Sequence, residues 1–434
     1  MINKEELQDK RIAVLLSGGV DSSVVVYELA RLGLHPDCFY IKIGPEEEEE
    51  RLRVGEQSSG MWDCSSEEDL EMATAVAAKY GCRLEVVDCH REYWDQVTRY
   101  TMEKVRAGLT PNPDVMCNRL IKFGAFHEKR GHDYDLIATG HYAQKESLPL
   151  PPPGERESLP LAPSRRGGKA SPEVEKASPT GGGSHLASDQ RSSGRDGEVK
   201  KASPTGGGWR GLWLCTSPDP VKDQTDFLAQ IYDWQLEKAL FPIGHYMKDE
   251  VRQIAEREHL VSARRKDSQG ICFLGKINYN DYVRRYLGEQ PGDVIELETG
   301  RRIGEHRGLW FHTIGQRKGM GFSGGPWFVV KKDVAQNILY VSHGNDPATA
   351  YKQEFPIHDF HSINGQLPPE RITIKIRHTP QYLPARLTPT GAGCYTVRAD
   401  APIHGVAPGQ FCVVYDEWHH RCYGSGEITV FSGC

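Results

Sequence analysis

The chain has 434 residues, 38% of them hydrophobic, and a formal net charge of −6. That length and apolar content support two or three domains with cores of their own, and the near-neutral charge excludes nucleic-acid binding spread over the whole surface, so any RNA site has to be a local patch. No apolar run reaches the ~18 residues of a membrane span, the polar start MINKEELQDK is no secretion signal, and 11 irregularly spaced cysteines without paired CxxC motifs point to reduced thiols in the cytoplasm rather than to a zinc site.

The first third alternates strand and helix. Residues 11–17 (RIAVLLS) read as a buried strand that passes through a glycine turn into a helix over 22–33. Strands follow over 37–43, 83–88 and 134–139, with helices over 66–81, 91–108 and 119–131. Ser66 and Asp69 have the spacing of a capping box, and Gly81 that of a C-cap. Such alternation predicts a parallel sheet covered on both faces, with ligands at the carboxyl ends of its strands. Residues 145–208 break the pattern. They are rich in Pro, Gly, Ser and charge, and KASPTGGG occurs twice, at 176–183 and 201–208. Too little apolar surface is present to offset ordering entropy, which predicts a disordered insertion in a surface loop. A strand over 211–216 and helices over 223–239 and 248–259 resume the α/β pattern. From about residue 290 short strands separated by Gly and Pro, such as 371–377, 394–399 and 410–416, predict a small C-terminal β barrel.

Ser17, Gly18, Gly19, Val20, Asp21 and Ser22 follow the first strand. Glycines there let backbone approach an anion, and helix N-terminal amides with serine hydroxyls can hold phosphate oxygens. The Gly-Lys-Ser/Thr of a Walker loop is missing. Asp21 is a candidate to place magnesium or simply to cap the helix. TPNPDVMCNRLIKF (110–123) stiffens a loop with Pro111 and Pro113 and delivers Cys117 to the start of the helix expected at 119, where the dipole would favour a thiolate. Asp114 is close enough in sequence to accept a proton. Cys272 lies between glycines in DSQGICFLG (267–275). Any one cysteine is more often buried packing; two in Pro- or Gly-shaped loops beside a phosphate loop suggest chemistry.

The string SGGVDSS resembles the PP-loop of the ATP pyrophosphatase superfamily, whose members cut ATP between the α and β phosphates. Together with TPNPDVMCN, ATGHYA (138–143), KDQ (222–224), LFPIGHYMKDEVR (240–252), DSQGICFLG, HTIGQRKG (312–319), KIRH (375–378) and APGQFCVVYD (407–416), it makes the chain similar to the tRNA-specific 2-thiouridylases. The likeness covers nearly everything outside 145–208. It implies a PP-loop ATP-binding and catalytic domain over 1–275, a central tRNA-binding domain over 276–355 and a β barrel over 356–434. It implies transfer of AMP to the C2 oxygen of the wobble uridine, then replacement of that oxygen by sulfur. Cys272 would carry persulfide sulfur, Cys117 would release it, and the two would end in a transient disulfide, with Asp114 as base or uridine-positioning group. ATP, with its Mg2+, would meet Leu15, Leu16, Ser17 through Ser22, Ile41 and Gly140. tRNA, for Lys, Glu and Gln by resemblance, would meet Asn112, Pro113, Asp114, His141, Lys222, Asp223, Gln224, Arg377, His378 and Gln410. A cysteine desulfurase or sulfur-relay protein would supply the sulfur, and no metal site of the protein's own and no membrane partner is implied. Asp226 stands where an aromatic is common in the family, which puts the packing there in doubt.

Phosphate contacts need local positive charge. The candidates are 264–266 (RRK), Arg284 with Arg285, Arg301 with Arg302, Arg317 with Lys318, and Lys375 with Arg377, while the acidic run at 46–50 should face away from RNA. Two rival readings exist. An adenylating PP-loop enzyme with a non-tRNA acceptor leaves the two cysteine loops and the barrel without a role. A nucleotide-regulated RNA-binding protein predicts that losing the cysteines changes nothing.

Overall fold

The structure is a computed structural model that describes residues 3–43, 63–147, 211–266, 279–344 and 347–430. Strands β1 (Ile12–Leu15), β2 (Asp37–Lys42), β3 (Leu84–Asp88), β4 (Leu136–Ala138) and β7 (Ala239–Leu240) form a parallel sheet in the order β3-β2-β1-β4-β7. Successive side chains of a strand point to opposite faces. Ile12, Val14 and Leu16 therefore join one core, with the helices Val20–Ala30, Asp63–Lys79 and Lys248–Arg257. Ala13, Leu15, Phe39 and Ile41 join the other, under the helical stretches 90–106 and 113–129. Burial on both faces is why RIAVL reads as an unbroken apolar run instead of an alternating one.

The described helices depart from expectation at their ends. The second long helix starts by Asp63, so Ser66 lies inside it and not at its start. Gly81, at φ +64°, does sit just past its end. The helix expected at 119–131 starts instead at Pro113, with Asn112 as its cap, and runs on through a π-helical stretch, Asn118–Ala125. The single helix expected over 223–239 is two short ones, Thr225–Leu228 and Asp233–Lys238.

Six strands close the C-terminal barrel. They are β12 (Tyr351–Ser362), β13 (Arg371–Lys375), β14 (Leu383–Gly391), β15 (Cys394–His404), β16 (Phe411–Tyr415) and β17 (Arg421–Ile428), in the order β12-β15-β14-β13-β16-β17 with β12 returning to β17. Its first strand begins at Tyr351, before the boundary expected at 356, because β12 needs its full length to pair with both β15 and β17. A four-stranded sheet precedes it, made of β8 (Gly292–Glu296), β9 (Arg302–His306), β10 (Trp327–Asp333) and β11 (Ile338–His343), around Val294, Leu309, Trp327, Val329, Leu339 and Val341.

The hairpin β5 (Ala143–Ser147) and β6 (Leu212–Thr216) leaves the parallel sheet and extends the barrel sheet beyond β17. Residues 145–147, expected to begin the insertion, are thus paired strand: polar side chains are no obstacle on an edge strand whose ladder bonds come from its neighbour. Among the described cysteines Cys38, Cys82, Cys89, Cys117, Cys215, Cys412 and Cys422 are free. No helix of the described residues is long and apolar enough to cross a membrane.

Candidate nucleotide and thiolation site

The strand order reverses direction between β1 and β4, and in a parallel α/β sheet ligands bind in the crevice beyond the carboxyl ends at that point. The SGGVDSS turn leaves β1 there, and Thr139-Gly140-His141 leaves β4. Gly18 has φ +74°, and a Cβ on it would lie 2.2 Å from the Asp69 carbonyl oxygen, so only glycine fits. The Ser17 amide donates to Ser22 Oγ (3.2 Å), and the Ser22 and Ser23 hydroxyls donate to the Gly19 carbonyl at 3.2 and 2.7 Å. These bonds shape the loop around the N-terminus of the helix Val20–Ala30, where Gly19 provides no side-chain cap. The first amides of that helix are left for an anion. Gly140 closes the other side. A Cβ there would come within 3.0 Å of the Ser22 nitrogen and 3.1 Å of Asp21 Cβ.

The lysine absent from the loop arrives from elsewhere. Lys248, at the start of its helix, places Nζ 2.7 and 2.9 Å from the two carboxylate oxygens of Asp21, and the Tyr142 hydroxyl donates to Asp21 Oδ1 at 2.8 Å. The Lys248 amide is held by Asp219 Oδ2 (2.9 Å). The Asp21 carboxylate, offered by the sequence to magnesium, is therefore engaged by an ammonium and a phenol. Arg265 also reaches the loop, with Nη1 3.4 Å from the Gly18 carbonyl and an ion pair to Asp69. The sequence offers Arg265 as a phosphate contact for RNA and does not single out Lys248. Its KDEVR context was the available signal. Ile41 is buried (3% exposed) in the sheet core, on the face opposite Tyr40.

The thiol loop is built by its cap. Asn112 Oδ1 accepts the amides of Asp114 and Val115 at 3.2 and 3.4 Å, and Pro113 occupies the first helical turn, where its missing N–H costs nothing. Cys117 is consequently the last residue of a helical segment, not the first, and it is fully buried. The barrel holds the front of this loop. The Thr110 amide donates to the Pro408 carbonyl (2.8 Å), and Gln410 Nε2 donates to the carbonyls of Thr110 (2.9 Å) and Pro111 (3.3 Å). Behind Cys117, Lys122 on the same helix lies 3.4 Å from His141 Nε2, which ties the thiol helix to the residue after Gly140. Cys272 lies outside the described residues, as does the acidic run at 46–50.

Several residues assigned to RNA face inward. His141 is 6% exposed, with Nδ1 2.8 Å from Thr139 Oγ1; burial, then the Lys122 ammonium, holds its pKa well below the ordinary imidazole value. Asp223 and Lys375 are both buried and form an ion pair (3.2 Å), and Asp223 also receives the Ser217 amide and the Thr225 and Tyr382 hydroxyls. The pair lies below the surface and staples the loop at 217–225 to β13. Gln224 is half-buried, its Oε1 accepting the Tyr142 amide at 3.1 Å, and Lys222 beside it is also half-buried. Arg377 Nη2 donates to the carbonyls of Ile314 (2.9 Å) and Gly405 (2.6 Å). His378 is exposed. It pairs with Asp226 (3.1 Å) and stacks near Phe227 (4.7 Å between centroids), so the aspartate that departs from the family pattern has a partner. Arg284 and Arg302 are engaged by Asp281 with Glu289 and by Asp293, which leaves their charge less free for phosphate.

A switch-point phosphate loop on a parallel sheet, followed by two β domains, defines a nucleotide-binding α/β protein with appended β modules. Three family models match it in that order: the tRNA methyl transferase HUP domain over 10–161 and 204–276, the tRNA methyl transferase PRC-barrel domain over 280–343, and the aminomethyltransferase beta-barrel domain over 352–428. The stretch that the first of them skips falls inside the expected insertion. The chain is 51% identical over 422 residues to tRNA-specific 2-thiouridylase MnmA 2 of Bacteroides fragilis strain YCH46, a match covering 96% of this chain and 99% of that protein. It is 50% identical over 423 residues to tRNA-specific 2-thiouridylase MnmA 1 of Bacteroides thetaiotaomicron and 47% identical over 427 residues to the MnmA of Porphyromonas gingivalis strain ATCC 33277, with the same coverage in both cases. The chain belongs to the tRNA-specific 2-thiouridylase family.

Proposed function

We propose that the chain uses ATP to adenylate the C2 oxygen of the wobble uridine of tRNA and then replaces that oxygen with sulfur carried by a cysteine persulfide. As a member of its family it is a tRNA-uridine 2-sulfurtransferase. The observation that carries the finer reading is the convergence at one switch point. The uncapped helix behind SGGVDSS, Gly140 against it and Lys248 on Asp21 suit the pyrophosphate end of ATP, and Lys122 links that crevice to the helix of Cys117. Mg2+ would enter with the nucleotide.

The steps balance without a further oxidant. The uridine O2 attacks the α phosphorus, and pyrophosphate leaves. The terminal sulfur of a Cys272 persulfide attacks C2, and the C–O bond breaks with AMP as leaving group. The Cys117 thiolate then attacks the Cys272 sulfur, which frees 2-thiouridine and leaves a Cys117–Cys272 disulfide. A two-electron thiol reductant must reopen it before the next turnover. Because Cys117 is buried, that attack requires the thiol helix to move when tRNA binds. A donor protein such as a cysteine desulfurase supplies the persulfide sulfur.

The test is nucleoside analysis of unmodified tRNA incubated with the protein, Mg-ATP and a sulfide source, for wild type, Cys117→Ser and Cys272→Ser. Wobble 2-thiouridine that needs ATP and both cysteines supports the reading. AMP without sulfur in the RNA, even with a persulfide donor, means a different acceptor.

A further inference from the structure

We propose that Glu146, Cys215 and His420 form a binding site for a zinc-type divalent cation at the root of the β5–β6 hairpin. One ligand atom of each lies within 4.8 Å of the others. The three come from adjacent strands of one continuous sheet: Glu146 from β5, Cys215 from β6, and His420 from the residue before β17. Gln144 pairs with Cys215 and Glu146 with Trp213, so Glu146 and Cys215 sit diagonally on one face of the ladder. Arg421 pairs with Cys215, the Thr216 amide donates to the His420 carbonyl (2.9 Å), and the His420 amide donates to Asp416 Oδ1 (2.7 Å). The backbone of all three ligands is thus held by sheet and turn bonds before any ion arrives.

The donor set is one thiol, one imidazole and one carboxylate, the combination that suits zinc better than the hard cations. At typical zinc bond lengths of about 2.0–2.3 Å, tetrahedral ligand atoms stand roughly 3.2–3.9 Å apart, so this cluster needs only small side-chain movement. In the absence of an ion His420 Nε2 and Glu146 Oε1 are 2.9 Å apart and bond to each other. Cys215 is fully buried, whereas the side chains of Glu146 and His420 are 40% and 43% exposed. The site is therefore closed at its sulfur end and open at the other, where water would complete the coordination. Binding forms a sulfur–metal bond, breaks the S–H bond and releases one proton. The site shares no residue with the nucleotide crevice. A cation there would clamp the hairpin, whose strands bracket the chain between Ser147 and Leu212, to the edge of the barrel. The residues are too distant in sequence for any ligand-spacing motif, which is why the cysteine count argued against a metal.

The test is a zinc titration of the full-length protein, stripped with a chelator, against a chromophoric competitor. Wild type should bind one equivalent at micromolar free zinc or below, and His420→Ala and Cys215→Ser should each lose at least about 100-fold in affinity, since even outer-shell changes cost 10–100-fold. Cys117→Ser should bind as wild type does. Cobalt should show a thiolate charge-transfer band that Cys215→Ser abolishes. Zinc should raise the melting temperature of wild type and not of His420→Ala, a half-exposed change that leaves the core intact. Failure of wild type to bind at micromolar free zinc, or equal affinity in wild type and His420→Ala, overturns the proposal.

Discussion

Replacing Lys248 with Met tests whether the cation missing from the phosphate loop is delivered from the helix Lys248–Arg257. The ammonium bridges both oxygens of Asp21 at 2.7 and 2.9 Å, and its side chain is 9% exposed against 33% for Asp21. Stranding one member of a fully buried pair costs about 3–5 kcal/mol. Here the aspartate is a third open to water and keeps the Tyr142 hydroxyl, so a stability loss of roughly 1–2 kcal/mol is expected after allowing for solvent screening. The nucleotide effect is separate. If Nζ turns to a phosphate oxygen, a charge-assisted hydrogen bond of about 1.5–3 kcal/mol is lost, or roughly 10- to 100-fold in affinity. Calorimetric titration with ATP reads the affinity, and urea unfolding reads the stability. A Lys248→Met protein that is destabilised yet binds ATP as wild type does refutes the argument and makes Lys248 a structural counter-ion of Asp21 alone.

Gly18→Ala places a methyl against the Asp69 carbonyl at a backbone angle that alanine resists, and ATP affinity should fall roughly 5- to 150-fold, given a strain of order 1–3 kcal/mol; unchanged binding would show that the loop adapts. Lys375→Met leaves Asp223 charged and buried, so urea unfolding should show a loss of about 3–5 kcal/mol. Weaker tRNA binding with unchanged stability would instead return both residues to the RNA surface. His361 donates from Nε2 to the Ile231 carbonyl (2.7 Å), and burial, then Arg119, pushes its pKa down to about 4. A lowered histidine pKa stabilises the fold above the unfolded value of about 6.5 and loses that contribution as pH falls toward 4. Unfolding free energy should drop across that interval, and His361→Asn should flatten the slope. An equal slope in both proteins removes His361 from the acid response.

The α/β alternation and the glycine turn after the first strand were both legible in the chain. Each is a local consequence of side-chain period or composition. SGGVDSS and TPNPDVMC carried the candidate site in the same way, because loop chemistry needs particular residues in immediate succession. Helix ends were read less well. Pro113 after Asn112 reads locally as loop stiffening, yet proline in a first turn with asparagine as cap is a helix start, and that difference places Cys117 at a buried position past the helix entrance.

Only the tertiary structure decided which charged residues meet the SGGVDSS loop and which meet each other. Lys375 and Asp223 are indistinguishable in sequence from surface charges until β13 meets the loop at 217–225 and buries both. Lys248 and Arg265 reach the phosphate loop across more than two hundred residues. Gln410 acts from the far end of the chain on the backbone ahead of Cys117. Sequence alone determined the elements and the chemistry-bearing loops, since period, caps and motif residues act within a few positions. Pairing between charges depends on which strands become neighbours and on how much water is excluded, and both are set only when the sheets and the barrel pack together.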